Sequence, residues 1–280
     1  MALTAQPVRG LQSGMVAVAG VPFDDYSSFV KGAAAAPAQI RAALHSNATN
    51  LSTESGYDLA SPGGWQDIGD FVFPGGTDPL EVIESAVAPC LSRGARLLAL
   101  GGDHSITYPI IKAYARQYPR LAILHLDAHS DLYDEFQGNR YSHACPFARI
   151  MEQGLVQRLM QAGIRTLTPH HREQAERFHV EILEMKDWRA PIALYVDMPL
   201  YLSIDLDALD PAFAPGVGHP EPGGFATRDV LAMIQNVRAE IVGADIVELN
   251  PSLDPSGITA RVAAKLLKEI LARMLPKTTL

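Results

Sequence analysis

Residues 121–131 read Leu-Ala-Ile-Leu-His-Leu-Asp-Ala-His-Ser-Asp. Six mostly aliphatic residues run straight into five that carry three ionisable groups, Asp127, His129 and Asp131. A short apolar run bounded in this way reads as a buried strand, and strands buried on both faces belong to parallel sheets covered by helices. The same kind of run occurs at 15–20 (MVAVAG), 95–102 (ARLLALGG), 121–127 (LAILHLD), 201–207 (YLSIDLD) and 241–248 (IVGADIVE). Helices are expected over 38–45, 79–91, 106–117, 145–154, 228–237 and 256–274. The last carries an apolar stripe of Ile258, Val262, Leu266 and Ile270 and stops before Pro276. Alternation of this kind predicts an α/β fold with a mostly parallel sheet between helical layers. No linker or repeat divides the chain, so residues 1–280 are expected to form one domain, with the proline- and glycine-rich piece 210–224 as a shaped loop within it.

The composition fits that class and excludes others. The 280 residues are 48% hydrophobic and 19% charged, enough to bury a core without disulfides. A formal charge of −8 argues against a nucleic-acid-binding protein. Residues 1–14 lack the apolar core of a secretion signal and no apolar run reaches about 18 residues, so no membrane association is expected. The two cysteines, Cys90 and Cys145, are too few for a disulfide framework, and a cytoplasmic location is expected.

Ligands of parallel α/β proteins bind beyond the carboxyl ends of the strands. There the chain places Gly101-Gly102-Asp103-His104-Ser105, then Asp127-Ala128-His129-Ser130-Asp131, then Asp205-Leu206-Asp207. In an extended segment alternate side chains share a side, so Asp127, His129 and Asp131 are expected to point one way, as are Asp205 and Asp207. With His104 this makes four carboxylates and two imidazoles in one cleft. Crowded carboxylates repel and take up protons unless a cation compensates them. Two divalent ions balance the four negative charges, and an oxygen-rich set with some imidazole suits Mn²⁺. Neither cysteine joins the pattern, which argues against structural zinc. His125, inside its strand, reads as core or as support behind a ligand. His143 sits in a loop twelve residues after Asp131, and a loop histidine near a metal can carry protons. His170-His171 reads as a solvated helix start. Glu248 ends the last strand, where an acid would grip a cationic group such as guanidinium. Asp245 reads equally well as a site residue or a strand-end cap.

Three separated motifs, GGDHS (101–105), LHLDAHSD (124–131) and SIDLDALDPAFAPGVGHPEPGG (203–224), resemble the ureohydrolase family of arginases and agmatinases. GVPFD (20–24) and DIVELNP (245–251) extend the resemblance over nearly the whole chain. GNRYSHACPFARIME (138–152) and the histidine of Gly216-Val217-Gly218-His219 resemble the plant-type arginases, which are agmatinase-like in overall sequence. The resemblance implies a three-layer α/β/α fold with a mostly parallel eight-stranded sheet and a cluster of two Mn²⁺ per chain. It places the metal ligands on His104, Asp127, His129, Asp131, Asp205 and Asp207. It also puts a proton shuttle on His143, a guanidinium-binding acid on Glu248, and a contact to the carboxylate end of arginine on Asn139. Where animal-type arginases carry aspartates that hold the substrate's α-amino group, this chain has Gly163-Ile164-Arg165-Thr166-Leu167-Thr168.

The implied chemistry is release of urea and an amine from a guanidino compound, with L-arginine first, agmatine second and guanidino acids such as guanidinobutyrate still open. In this scheme Asp131 moves a proton to the leaving amine. The resemblance further implies a homo-oligomer, trimer or hexamer. Two other readings compete: a metal-dependent deacetylase, which needs one metal, and a non-catalytic guanidino- or polyamine-binding protein.

Overall fold

Val16 and Val18 face one side of their strand while Ala17, Ala19 and Val21 face the other, and all five are buried. That two-sided burial repeats at the centre of the sheet and sets the architecture. The protein is seen here in a computed structural model that describes residues 8, 10–189 and 194–276. Most of the stretch 1–14, read above for its lack of an apolar core, lies outside the described residues. Eight strands form one sheet: β1 (Val16–Val21), β2 (Trp65–Asp70), β3 (Arg96–Gly101), β4 (Ala122–Leu126), β5 (Arg158–Ile164), β6 (Glu181–Glu184), β7 (Leu200–Asp205) and β8 (Ile241–Val247). Their order is β2-β1-β3-β8-β7-β4-β5-β6, and every neighbouring pair is parallel.

The helices are α1 (Ala36–Leu44), α2 (Pro79–Ser92), α3 (Thr107–Gln117), α4 (Pro146–Glu152), α5 (Pro169–Phe178), α6 (Thr227–Asn236) and α7 (Ile258–Met274). One face of the sheet packs against Ile40 of α1, Ile234 of α6 and Leu267 of α7. The other packs against Ile83 of α2, Ile110 of α3 and Phe147 of α4. Each such side chain contributes roughly 1.5–3 kcal/mol when fully buried. The expected three-layer α/β/α fold is therefore present. Among the described residues no helix is long and apolar enough to cross a membrane.

Four elements lay outside the expected set, and polarity explains each. Strand β2 (WQDIGD) and strand β6 (EILE) lie at the sheet edges, where one side stays wet and no continuous apolar run is needed. Strand β5 (RLMQAGI) is broken by Gly163, whose φ of +95° accompanies a register shift against β6. Helix α5 (PHHREQAERF) buries only His171 and Gln174, so it has no apolar stripe.

The chain order matters more than the layers. After β3 the chain leaves a gap, builds β4, β5 and β6, and only then returns to insert β7 and β8 between β3 and β4. The four central strands β3, β8, β7 and β4 thus end side by side. Gly102 seals the first two strand ends. Its amide donates to Val21 O at 3.2 Å, its carbonyl accepts from Glu248 N at 2.9 Å, and the next amide, Asp103 N, donates to Phe23 O at 2.9 Å. A Cβ at position 102 would strike the backbone carbonyls of Phe23 and Val21. Gly102→Ala is expected to destabilise the protein by about 2 kcal/mol or more, because only backbone can yield there. An unshifted denaturant midpoint would refute this packing.

Candidate metal centre and substrate cavity

Each of the four central strands delivers polar residues at its carboxyl end. His104 opens a 3-10 turn after β3, Asp127, His129 and Asp131 follow β4, Asp205 ends β7 with Asp207 in the turn after it, and Glu248 follows β8. The alternation argument needs correction. Strand β4 ends at Leu126, so residues 127–131 are loop rather than strand, and Asp131 has a φ of +51°. Asp207 is brought round by a turn in which Asp205 Oδ1 accepts its amide at 2.8 Å. Glu248 has a φ of +67°, so its direction does not follow the alternation of β8. Left-handed non-glycine residues cost energy and gather at functional sites.

The side chains nevertheless converge. His104 Nδ1 lies 3.2 Å from Asp127 Oδ2, 3.0 Å from Asp131 Oδ2 and 3.2 Å from Asp205 Oδ2. It is buried, yet none of these approaches has the geometry of a hydrogen bond. The opposite ring nitrogen, Nε2, sits 3.0 Å from Ser203 Oγ, which itself donates to Asp245 Oδ1 at 2.7 Å. A hydroxyl has one proton, so Ser203 accepts from His104 Nε2–H, and Nδ1 is the nitrogen turned toward three carboxylates. Burial opposes a charge on this ring, but Asp127, Asp131 and Asp205 raise it well above its ordinary pKa, so without a metal a proton occupies the place between them that a metal ion would take. Separations of about 3 Å are those of adjacent ligands around an octahedral ion with bonds of about 2.1 Å.

A second group shares Asp127 with the first. His129 Nδ1 is 3.0 Å from Asp207 Oδ2 and 3.4 Å from Asp127 Oδ1. Asp127 therefore offers one oxygen to each group, and both groups are fit to hold a metal ion. By distance alone His125 also falls in the first group. Its hydrogen bonds say otherwise: its Nδ1 faces the Gln161 amide nitrogen at 3.0 Å, so its Nε2–H donates to Asp127 Oδ2 at 2.8 Å. Burial holds this imidazole below its ordinary pKa, and it orients a carboxylate from behind.

Charge crowding shows in the titration of the site. Burial raises Asp205 and Asp207, and neighbouring carboxylates add to the rise, Asp207 reaching about 7. Burial opposes protonation of His129, but Asp207 and Asp127 push it up to about 12. Without a cation the cluster thus gathers protons, which a metal would displace.

His143 and Glu248 meet directly, with Nδ1 2.8 Å from Oε1. The same Oε1 accepts the His104 amide at 2.8 Å. Among the described residues no donor reaches Glu248 Oε2. Burial works against a charged His143, but Glu248 raises it to about 9. On its far side the Ser28 amide, which can only donate, reaches Nε2 at 3.1 Å. That bond makes Nε2 the acceptor and leaves Nδ1–H as the donor to Glu248, so the charged form that Glu248 favours must give up the Ser28 amide.

A cavity of 210 Å³ opens over this floor, lined among others by Asp131, Asp205, Asp207, Glu248, His129 and His143. His104 and Asp127 lie beneath it, fully buried. Asn139 does not reach the cavity. Its Oδ1 accepts the Tyr141 amide at 2.8 Å and its backbone closes a bridge with Phe136, so the side chain is spent on the turn. The pair His170-His171 does start a helix, but not a solvated one: His171 is 4% exposed and lines the cavity. Asp245 is no cap. It sits inside β8, fully buried, and accepts from Ser203, Thr107 and Tyr201.

Sequence reading passed over Ser203, Gln161 and Ser28. Ser203 shares strand parity with Asp205, and Asp245 is an acid in an otherwise apolar buried strand. Together they were the available signal for the support behind His104.

Fold and site together define an α/β protein with a histidine–aspartate cluster fit for metal at the mouth of a parallel sheet. The chain belongs to the arginase family, whose model matches residues 15–272. It is 46% identical over 272 residues to a protein of Arabidopsis thaliana named "Arginase 1, mitochondrial", covering 91% of this chain and 80% of that one. It is 35% identical over 275 residues to an agmatinase of Serratia proteamaculans, covering 94% and 88%. The solved arginase of Medicago truncatula superposes with a TM-score of 0.88 at 43% identity, covering 95% of this chain and 88% of that one. These comparisons correct the cytoplasmic location expected above, since the Arabidopsis relative is named mitochondrial. Cysteine usage reports the redox state of a compartment and not its address.

Two outcomes follow from the geometry. Ser203→Ala leaves His104 Nε2–H without its acceptor and is expected to weaken Mn²⁺ binding roughly tenfold or more, read by calorimetric titration. Unchanged affinity would remove the tautomer assignment. Metal uptake is expected to release protons, so apparent affinity falls as pH is lowered from about 8 to about 6. Uptake without proton release would contradict the charge crowding described.

Proposed function

We propose that this chain, as one domain over residues 1–280, hydrolyses a guanidino compound to urea and an amine, with L-arginine the first substrate and agmatine the second. His104, Asp127, His129, Asp131, Asp205 and Asp207 would hold two Mn²⁺. The approach of His104 Nδ1 to three carboxylate oxygens at 3.0–3.2 Å is the observation that carries this reading. Five of these six donors fall in two groups joined through Asp127, and the sixth, Asp205, approaches His104 Nδ1 at 3.2 Å; so oxygen-rich a set suits Mn²⁺ better than a sulfur-seeking metal. When bound, the ions supply Lewis-acid chemistry that makes water a nucleophile near neutral pH.

The chain's own residues do the rest. No donor reaches Glu248 Oε2 among the described residues, which leaves it to accept an N–H of the planar guanidinium, while His143 and the His104 amide hold Oε1 and fix the plane of the carboxylate. Neither side-chain oxygen of Asp131 accepts a hydrogen bond among the described residues. It takes a proton from the attacking water and hands it to the amine nitrogen as the C–N bond breaks. His143 then relays the second proton between cavity and solvent, its Nε2 lying next to the Ser28 amide and hydroxyl. Assembly as a trimer or hexamer belongs to the same proposal.

The decisive experiment is a urea-release screen of the manganese-loaded protein against L-arginine, agmatine and 4-guanidinobutyrate. No urea from any of them sinks the reading. Asp127→Ala is expected to lose bound manganese and activity together. His143→Asn is expected to keep its manganese and lose roughly 10²-fold or more in kcat, the size of one general acid–base contribution. A His143→Asn enzyme of normal turnover would end the shuttle assignment.

A further inference from the structure

The floor of the cavity is acidic, but its outer wall is not. Every carboxylate lining the cavity, Asp131, Asp205, Asp207 and Glu248, belongs to the candidate metal centre or the guanidinium grip. Among the described residues no lysine or arginine lines it, and beyond His129 and His143 its remaining ionisable groups are the imidazoles of His219 and His171 and the Tyr133 phenol. A substrate that seats its guanidinium on Glu248 therefore meets these groups with its other end.

We propose that the outer wall recognises a carboxylate at the far end of the guanidino substrate, with His219 and His171 as the specificity-determining residues. The inference rests on the guanidino hydrolysis proposed above and adds what the other end of the substrate must be.

His219 is half-buried at the rim, its ring 5.1 Å from that of His143, 6.0 Å from that of His129 and 5.6 Å from that of the largely exposed Phe29. Among the described residues neither of its ring nitrogens makes a hydrogen bond. A neutral imidazole of either tautomer offers one N–H donor there. His171 is more tightly fixed. Its Nδ1 accepts the Thr168 amide at 3.3 Å, which leaves the proton on Nε2. That Nε2 is buried and has no partner. Burial takes the pKa of the group down to about 4, so the ring stays neutral and the N–H stays a donor. A buried donor without an acceptor costs roughly 1–3 kcal/mol, and a carboxylate is the acceptor that repays it best.

Of the other hydrogen-bonding side chains of the wall, the Tyr133 phenol makes no hydrogen bond among the described residues and two hydroxyls are already used. Thr166 Oγ1 donates to Ala128 O at 3.1 Å and Ser28 Oγ lies 2.8 Å from His143 Nε2. The wall is also held in shape. Arg165 donates to the carbonyls of Gly163, Asp207 and Glu221 and so ties the loop that carries His219 to the ends of β5 and β7. A substrate ending in an ammonium, such as agmatine, finds no spare acid here and leaves both donors unanswered.

The test compares 4-guanidinobutyrate and L-arginine with agmatine on the manganese-loaded protein. Expected is a kcat/KM for both carboxylates at least tenfold above that for agmatine. His219→Phe, which keeps the ring and removes the donor, should cut that ratio roughly tenfold, mainly through KM, and His171→Phe should act in the same direction. His219→Asn, which restores an N–H, should recover part of it. Equal or better use of agmatine, or a parallel loss on all three compounds in His219→Phe, overturns the inference while leaving guanidino hydrolysis intact. If none of the compounds releases urea, the hydrolase reading fails and calorimetry decides this one. Tighter binding of 4-guanidinobutyrate than of agmatine, weakened in His219→Phe, supports it, and equal binding overturns it.

Discussion

Four aspartates and two histidines occupy a few ångströms at the mouth of the sheet, and their mutual repulsion is the constraint that the surrounding structure answers. Hydrogen bonding behind the ligands prepares them for a cation. Asp245 gathers the hydroxyls of Ser203, Thr107 and Tyr201, Ser203 in turn accepts from His104 Nε2–H, and the result is a fixed ring with Nδ1 aimed inward. On the other side Gln161 fixes His125, and His125 fixes Asp127. Both relays are buried, where each hydrogen bond holds one arrangement of the ring nitrogens and its loss would be costly.

Topology is what brings these groups within reach. Separated by more than a hundred residues in sequence, His104 and Glu248 touch because β8 pairs with β3 and the Glu248 amide bonds to Gly102. The late insertion of β7 and β8 between β3 and β4 turns four distant strand ends into one floor. Close backbone approach at Gly102 and the left-handed turns at Asp131 and Glu248 then aim the side chains. Energy stored in those turns is small beside the burial supplied by helices on both faces of the sheet.

Much of this was legible before any coordinates. Strands β1, β3, β4, β7 and β8 are buried on both faces and read as continuous apolar runs, so composition alone marked them. Edge strands β2 and β6, with one wet side, carry no such mark, and α5 hides its one buried face behind histidine and glutamine. In the site, alternation was the wrong reason for grouping Asp127, His129 and Asp131, since those residues lie in a loop. The grouping itself was visible because ionisable residues follow directly on buried strands, and short connections keep them near the sheet whatever their conformation. Asn139 went astray for a local reason: asparagine beside glycine serves a turn as readily as a ligand.

By itself the sequence determined the layered α/β class, the central strands and the set of charged residues at their ends, because hydrophobic period and abrupt polarity are properties of the chain alone. Only tertiary structure decided which nitrogen of each histidine faces the centre, that Asp245 supports a ligand from within a strand, and that His171 is buried in a cavity wall. Those outcomes depend on partners remote in sequence and on the loss of water around them. A string of residues carries no record of which distant hydroxyl or amide will answer a given proton.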